Sequence, residues 1–332
     1  MKRYVLLIIF ALTILPLITE AQTWKRNPSS IVYGNGTNHF LGDLGGGKKE
    51  AAHFFGLRDL DYQVTRPTWQ IGYRYRFHDF FTFRVNYTYA LISGKDAASG
   101  SLDRQARNLS FRSGVYELST QIEYYFVKEK GAAKSSFGSL KGFTPLSAYV
   151  FIGGGALYYN PKARLDDNSP WVALQPLGTE GQFANPDGSP YTYTYSNTGE
   201  SLTTPEPYKR IAAMISLGIG MKYDLNKQWA LGFELSNRYT SSDYMDDVHD
   251  RYFNYEQMGL TPPNSNTLLF SDRSYELIYS DGAITGISDI HVPKTTGQAM
   301  RGDPNFNDAY VLALITVYYK LGGSSKAKPK YR

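Results

Sequence analysis

The residues most capable of taking part in chemistry are charged side chains that recur at alternate positions within aromatic and aliphatic stretches. Side chains two residues apart lie on one face of a β-strand, so this spacing predicts that arginines and glutamates gather on one surface. Charges of both signs in one enclosed space form either a hydrogen-bonded plug or a path for protons or ions. We favour the plug, because buried charges need partners. The set comprises Arg74, Arg76, Arg84, Glu117, Glu123, Lys222, Glu234 and Arg238.

A second candidate group is the acidic segment that contains His249. Asp246 and Asp247 could assist this histidine in acid–base catalysis, and together with Asp243 and Asp250 they could gather a calcium ion. Their spacing is not that of an EF-hand loop. The chain also contains neither a Gly-x-Ser-x-Gly nor a His-Glu-x-x-His motif. We therefore interpret the segment as a solvated acidic loop and expect no enzyme activity, no cofactor and no metal.

The elements that position the alternating charges are long β-strands. Between residues 69 and 91 every second side chain is large and apolar, the intervening ones are mostly polar or small, and His78-Asp79 interrupts the run. This is the pattern of a β-hairpin, and its strands are longer than those of most soluble sandwiches. We expect the apolar side to meet lipid and the polar side to line a wet interior.

The same periodicity predicts an all-β fold, an eight-stranded antiparallel transmembrane β-barrel. The predicted strands are 29–41, 69–77, 81–91, 114–126, 146–159, 211–223, 229–239 and 308–321. An even number of strands places both termini on one side, the periplasm, and the connections 43–65, 93–110, 160–209 and 240–307 become long extracellular loops. Aromatic clusters at the other strand ends, which include Tyr125 and Tyr318, predict a girdle at the lipid headgroups.

The ends and the composition indicate export. A basic start, an apolar run and the small residues around Ala21 predict a signal peptide at 1–21, followed by the barrel at 22–321 and a basic periplasmic tail at 322–332. A retained membrane anchor is the alternative, but the run is short for a spanning helix. The absence of cysteine excludes disulfides, lipoprotein acylation and thiolate chemistry. The net charge of +5 does not favour a nucleic-acid partner in an exported chain.

The connection 127–145 is unusually long for a periplasmic turn and is basic. Its lysines, together with basic and aromatic residues near the mature N-terminus, form a candidate docking surface for an acidic partner. A solvated basic rim beside anionic headgroups is the alternative. The residues are Lys128, Lys130, Lys134, Lys141, Trp24, Lys25 and Arg26.

Several loop strings resemble those of the PorG family, the small outer-membrane barrels associated with the type IX protein secretion system. The resemblance spans essentially the whole mature chain, although no single string would suffice. The strings are Asn38–Gly46, Asn108–Arg112 with the following Tyr116–Leu118, Tyr125–Lys130, Asn160–Ala163, Ala173–Gln182, Asp243–Val248 and Gln298–Pro304.

The resemblance implies a non-enzymatic part of a secretion and gliding machine that lies among outer-membrane lipids. It also implies two protein partners, the lipoprotein and the ring protein of a periplasmic ring, and no small-molecule substrate. The family offers no catalytic residues to carry over. The alternative is a surface-binding barrel or a small lipid-modifying enzyme that works through its long outer loops.

Overall fold

The computed structural model describes residues 28–44, 65–99, 101–128, 146–194, 199–226, 228–253, 255, 258–274, 276 and 299–321. The predicted signal peptide and basic tail therefore lie outside the described residues. The strands are β1 (Ser29–Leu41), β2 (Arg66–Arg76), β3 (Phe81–Lys95), β4 (Ser110–Val127), β5 (Leu146–Tyr158), β6 (Pro161–Ala163), β7 (Val172–Ala173), β8 (Thr192–Thr194), β9 (Ser201–Thr203), β10 (Ile211–Asp224), β11 (Trp229–Thr240) and β12 (Ala309–Lys320). Two short helices, α1 (Leu102–Arg107) and α2 (Thr267–Ser271), lie in the connections.

Eight of the described strands close into an antiparallel barrel. They pair in the order β1, β2, β3, β4, β5, β10, β11, β12, and β12 returns to pair with β1. Tyr33 on β1, for example, faces Ile71 on one neighbouring strand and Val317 on the other. The prediction of an eight-stranded antiparallel barrel is confirmed, and the predicted bounds of β1 match those observed.

The strands alternate between an apolar outer face and a buried inner face. On β4, Leu118 is 62% exposed, whereas the flanking Glu117 and Ser119 are buried. The same alternation follows β2 and β10 along their length. A continuous apolar outer face of this extent is costly in water and suits a hydrocarbon environment, so the barrel is of the membrane-spanning, outer-membrane type.

Glycines in β5 allow neighbouring strands to approach closely. A Cβ atom on Gly155 would lie 2.3 Å from the carbonyl oxygen of Leu118, whereas the nearest atom to a Cβ on Gly154 would be 3.5 Å away. The inward glycine is therefore required by the packing of β4 against β5, and the outward one is not.

The lumen is filled differently at its two ends. We call the end with the four long connections the cap end and the opposite one the turn end. Towards the cap end, Phe40, Phe111, Leu157 and Leu312 belong to one apolar cluster that continues into the connections through Met245. The predicted wet interior is therefore wrong for this half, because an eight-stranded barrel is narrow enough for side chains to fill it.

The described residues of the four long connections fold over the cap end, and we call them the cap. They include a small apolar core around Tyr193, Phe253 and Tyr255 and the paired strands β8 and β9. Within the described part of the chain, no helix is long and apolar enough to cross a membrane.

Candidate functional site

The charged residues in the turn-end half of the lumen form one ion-pair cluster. Arg84 on β3 donates two hydrogen bonds of 2.6 Å to the two carboxylate oxygens of Glu234 on β11, across the barrel. Its Nε lies 3.3 Å from Glu123, which also accepts a 2.9 Å hydrogen bond from Arg74. All four side chains are buried. Two parallel N–H···O bonds fix orientation as well as distance, so the cluster ties opposite walls together.

Three buried tyrosines complete this cluster. Tyr149 and Tyr318 donate hydrogen bonds to the same oxygen of Glu234, and their hydroxyls lie 2.9 Å apart. Tyr125 donates to Glu123 at 3.0 Å and faces the guanidinium of Arg74 with its ring. The predicted membership of Tyr125 and Tyr318 in the aromatic girdle is therefore wrong. Both lie on the inward parity of their strands and satisfy buried carboxylates.

A separate pair lies nearer the cap. Arg238 on β11 contacts Glu117 on β4 at 3.2 Å, and Tyr310 donates a 2.8 Å hydrogen bond to the same carboxylate oxygen. Ser119 donates to the other oxygen of Glu117 at 2.6 Å. Sequence reasoning did not include Tyr310 or Ser119 as partners, although their inward parity was a usable signal.

The remaining two members of the predicted set lie at the turn end. Lys222 is buried, lies 3.8 Å from Asp224 and has its ammonium 5.3 Å from the ring centre of Tyr318. Arg76 is also buried. The structure thus places all eight predicted residues inside the barrel and divides them among three groups, with Arg74, Arg84, Glu123 and Glu234 in the largest.

The cap contains a second buried polar cluster, which joins segments from all four long connections. Arg301 contacts Glu180 at 3.0 Å and Asp247 at 3.6 Å, and Thr179 donates a 2.6 Å hydrogen bond to Asp247. Arg107, at the end of α1, donates to both oxygens of Asp96, at 2.7 and 2.8 Å.

Further hydrogen bonds of Arg107 connect distant segments of the cap. It donates to the carbonyl oxygen of Asp43 at 2.5 Å and also to that of Arg301. These contacts were not predicted, because residues so far apart in the chain show no local pattern.

Four carboxyl groups of the cap lie close enough together for their negative charges to repel one another. They are Asp43, Asp243, Asp246 and Asp308. Burial, and then the charge of Asp43, raises the pKa of Asp243 to about 9. Burial, and then the charges of Asp43 and Asp243, raises the pKa of Asp246 well above its ordinary range. Burial, and then the charges of Asp246 and Asp243, does the same to the pKa of Asp308. Burial in an acidic neighbourhood favours the neutral form of a carboxyl, so these groups take up protons more readily in the folded cap than in the unfolded chain.

The prediction of a solvated acidic loop at 243–250 is wrong. Asp246 and Asp247 are buried, and both oxygens of Asp246 accept backbone hydrogen bonds, from Leu44 and Val248. His249 remains partly exposed, and its Nδ1 lies 2.7 Å from Asp243. Among the described residues, no group of three or more carboxylates or histidines is arranged to hold a metal ion.

Most of the predicted docking surface falls outside the described residues. Lys128 is exposed at the turn end, and its ammonium lies 3.8 Å from the ring centre of Phe80 in the adjacent turn. The other six members, Lys130, Lys134, Lys141, Trp24, Lys25 and Arg26, are outside the described ranges.

Comparisons with known proteins show remote resemblances of structure. No protein-family model matches the chain, and no curated protein matches it. Neisserial surface protein A is 8% identical over 88% of this chain and 95% of its own, with a TM-score of 0.33. The outer membrane protein OprG from Pseudomonas aeruginosa is 8% identical over 90% and 98%, also at 0.33. Ail of Yersinia pestis, solved with sucrose octasulfate, is 9% identical over 89% and 99%, at 0.32. At these scores the resemblances carry no argument about function, and the assignment as a membrane barrel rests on strand pairing and the apolar wall.

Proposed function

We propose that this barrel is a non-enzymatic component of the type IX protein secretion and gliding machinery. It lies in the outer membrane with its cap outside the cell and both termini in the periplasm. From that position it anchors the periplasmic ring, built of a lipoprotein and a partner protein, to the membrane.

One observation carries this proposal. Four of the strings that resemble the PorG family interlock in the cap: Asn38–Gly46, Ala173–Gln182, Asp243–Val248 and Gln298–Pro304. Asp43, Glu180, Asp247 and Arg301 come from four different strings, and Arg301 directly contacts Glu180 and Asp247. The backbone N–H of Asp303, in the same string as Arg301, donates to Asp43 at 3.0 Å. Residues that depend on one another for burial form one structural unit, so the resemblance concerns a unit of the fold rather than scattered short matches.

The filling of the lumen supports an anchoring role over transport through the barrel. Paired charges occupy the turn-end half, and an apolar cluster occupies the cap-end half. A barrel packed in this way offers partners its two ends and its outer wall. At the turn end, the basic connection 128–145 is longer than hairpin closure requires and supplies the docking surface.

Two of the three candidate residues for a lipid-modifying enzyme in the outer loops are engaged within the cap. Asp246 and Asp247 are buried, and their oxygens are engaged by protein groups. Alanine at these positions would damage the cap itself, so such variants do not separate surface chemistry from cap folding.

The test is a charge reversal at the basic connection. Replacing Lys128, Lys130, Lys134 and Lys141 together with glutamate should reduce crosslinked co-purification of the ring lipoprotein by at least about tenfold, through loss of electrostatic complementarity. The matched control carries arginine at the same four positions and should retain the partner. Equal recovery of the lipoprotein with both variants, at equal amounts of folded barrel, would remove the docking proposal.

A further inference from the structure

A basic band lies on the outside of the barrel where β3, β4 and β6 meet the cap. Arg112 on β4 is exposed and lies on the same outward parity as Gly114 and Tyr116. In the pairing of β4 with β6, Arg112 is directly opposite Lys162. Lys95, at the end of β3, is exposed on the same rim. The band therefore begins at the cap-side boundary of the apolar wall.

The facing of Arg112 and Lys162 is unfavourable without an anion. Like charges directly opposite each other on neighbouring strands destabilise the pairing. Among the described residues, no carboxylate lies within ion-pair distance of Arg112 or Lys162. The guanidinium of Arg112 instead lies 3.7 Å from the ring centre of Trp171, and Arg164 lies 4.9 Å from the same ring. This indole holds Arg112 in place without neutralising it.

A groove of about 400 Å³ runs from this pair down the outer wall. Its lining includes Tyr89, Tyr116 and Tyr158, whose rings follow one another with centres 5.1 and 6.3 Å apart. Gly114 lies on its floor between Arg112 and Tyr116, where a Cβ would approach the Tyr89 ring at 3.3 Å. Tyrosines at this level suit the boundary between headgroups and acyl chains. The groove is therefore cationic at its upper end and aromatic below.

We propose that this groove binds the phosphorylated headgroup of an outer-leaflet saccharolipid of the lipid A class. Arg112 and Lys162 take the phosphate, and the tyrosines pack against the sugar and the first part of an acyl chain. Arginine matches phosphate with paired hydrogen bonds, and such charge-assisted bonds are the strong ones. The groove continues into the apolar wall, which favours a lipid over free phosphate. This inference rests on the proposed placement of the cap outside the cell.

The test uses the purified, refolded full-length barrel in nanodiscs or detergent and measures bound lipid by native mass spectrometry. The probes are bisphosphorylated lipid A, its dephosphorylated form, phosphatidylethanolamine and inorganic phosphate. Arg112→Gln with Lys162→Gln should weaken binding of lipid A by at least about tenfold, because two charge-assisted contacts are lost. The matched control is Lys209→Gln, at an exposed lysine that does not line the groove.

The outcomes separate the alternatives. The double variant should remain at least as resistant to unfolding as the wild-type barrel, because it removes a like-charge pair. Equal lipid A binding by wild type and double variant would overturn the proposal. Competition by inorganic phosphate at the same concentration as lipid A would also overturn it, in favour of a free-phosphate site. The lipid-binding assay contains no ring protein, so a negative result there does not affect the proposal of periplasmic docking. Likewise, the result of the co-purification of the ring lipoprotein does not affect the proposal of lipid binding.

Discussion

Removing one partner of the Arg84–Glu234 pair should cost as much as removing both, or more, for at least one of the two single variants. In Glu234→Leu, Arg84 keeps only the 3.3 Å contact of its Nε with Glu123 among its carboxylate partners. In Arg84→Met, Glu234 keeps the hydroxyls of Tyr149 and Tyr318 but loses its buried cation. Leaving such a buried charge uncompensated costs about 3–5 kcal/mol of unfolding free energy.

The double variant Arg84→Met/Glu234→Leu removes both charges. The hydroxyls of Tyr149 and Tyr318 can still bond each other at 2.9 Å, and Glu123 keeps its 2.9 Å bond from Arg74. We therefore expect the double variant to be at least as stable as the less stable of the two single variants. The two single costs then exceed the cost of the double by at least about 3 kcal/mol, which is the signature of direct coupling.

The assay is equilibrium urea unfolding of the barrel in lipid vesicles, followed by tryptophan fluorescence and by the mobility shift of the folded form on gels. Trp69 and Trp229 face outward and report lipid contact. Ile215→Leu, on the outer wall, serves as the control and should change stability by less than about 1.5 kcal/mol. Additive costs of the two single variants would refute the bridge across the lumen.

Two other perturbations follow from the geometry. Gly155→Ala should prevent or severely slow barrel folding, because its Cβ would lie 2.3 Å from the Leu118 carbonyl oxygen, whereas Gly154→Ala should fold normally. Equal folding yields, scored by gel mobility, would contradict the close approach of β4 and β5. The cap should lose stability as pH rises from about 4 to about 9, because burial raises the pKa of Asp243 from 3.8 to about 9 and the folded cap therefore binds more protons than the unfolded one. After correction for the intrinsic rate, hydrogen exchange of the cap amides should therefore be slower at pH 5.5 than at pH 8.5. The variant Asp243→Asn should reduce this difference. A cap that is more protected at pH 8.5 would contradict the predicted loss of stability with rising pH.

The wall of the barrel was predictable because the alternation of apolar and polar residues that defines it lies within each strand. Alternation identified most of the strands and the inward charges without any knowledge of distant contacts, although it is blurred in 29–41 and residues 146–159 are apolar on both parities. Tyr125 and Tyr318 each stand next to another aromatic residue in the sequence, and such clusters predict an interfacial girdle. Adjacent residues of a strand face opposite sides, however, so one aromatic residue of each pair must point inward. Odd or even position along the strand was the better signal, because neighbouring residues of a β-strand point to opposite faces of the sheet.

The cap was not predictable because its contacts are non-local. The backbone N–H of Asp303 meets the carboxylate of Asp43, and Arg107 bonds the carbonyl oxygen of Arg301. Residues this far apart share no periodicity, and a loop rich in aspartate resembles a solvated one until its partners are known. Charge composition predicted water around Asp246 and Asp247. In the structure, Asp246 accepts a hydrogen bond from the backbone N–H of Leu44 in another connection, and Asp247 contacts Arg301 from a distant part of its own connection.

The most direct test of a wall with lipid outside and charge within is a depth profile of spin labels along β10. The chain has no cysteine, so single cysteines can be placed at the outward positions 213, 215, 217, 219 and 221 and at the ends, 209 and 226. In lipid bilayers, accessibility to oxygen should peak at Leu217 and accessibility to a water-soluble nickel complex should be lowest there. A water-accessible label at Leu217, or no change with position, would contradict the membrane-spanning barrel on which anchoring and lipid binding both depend.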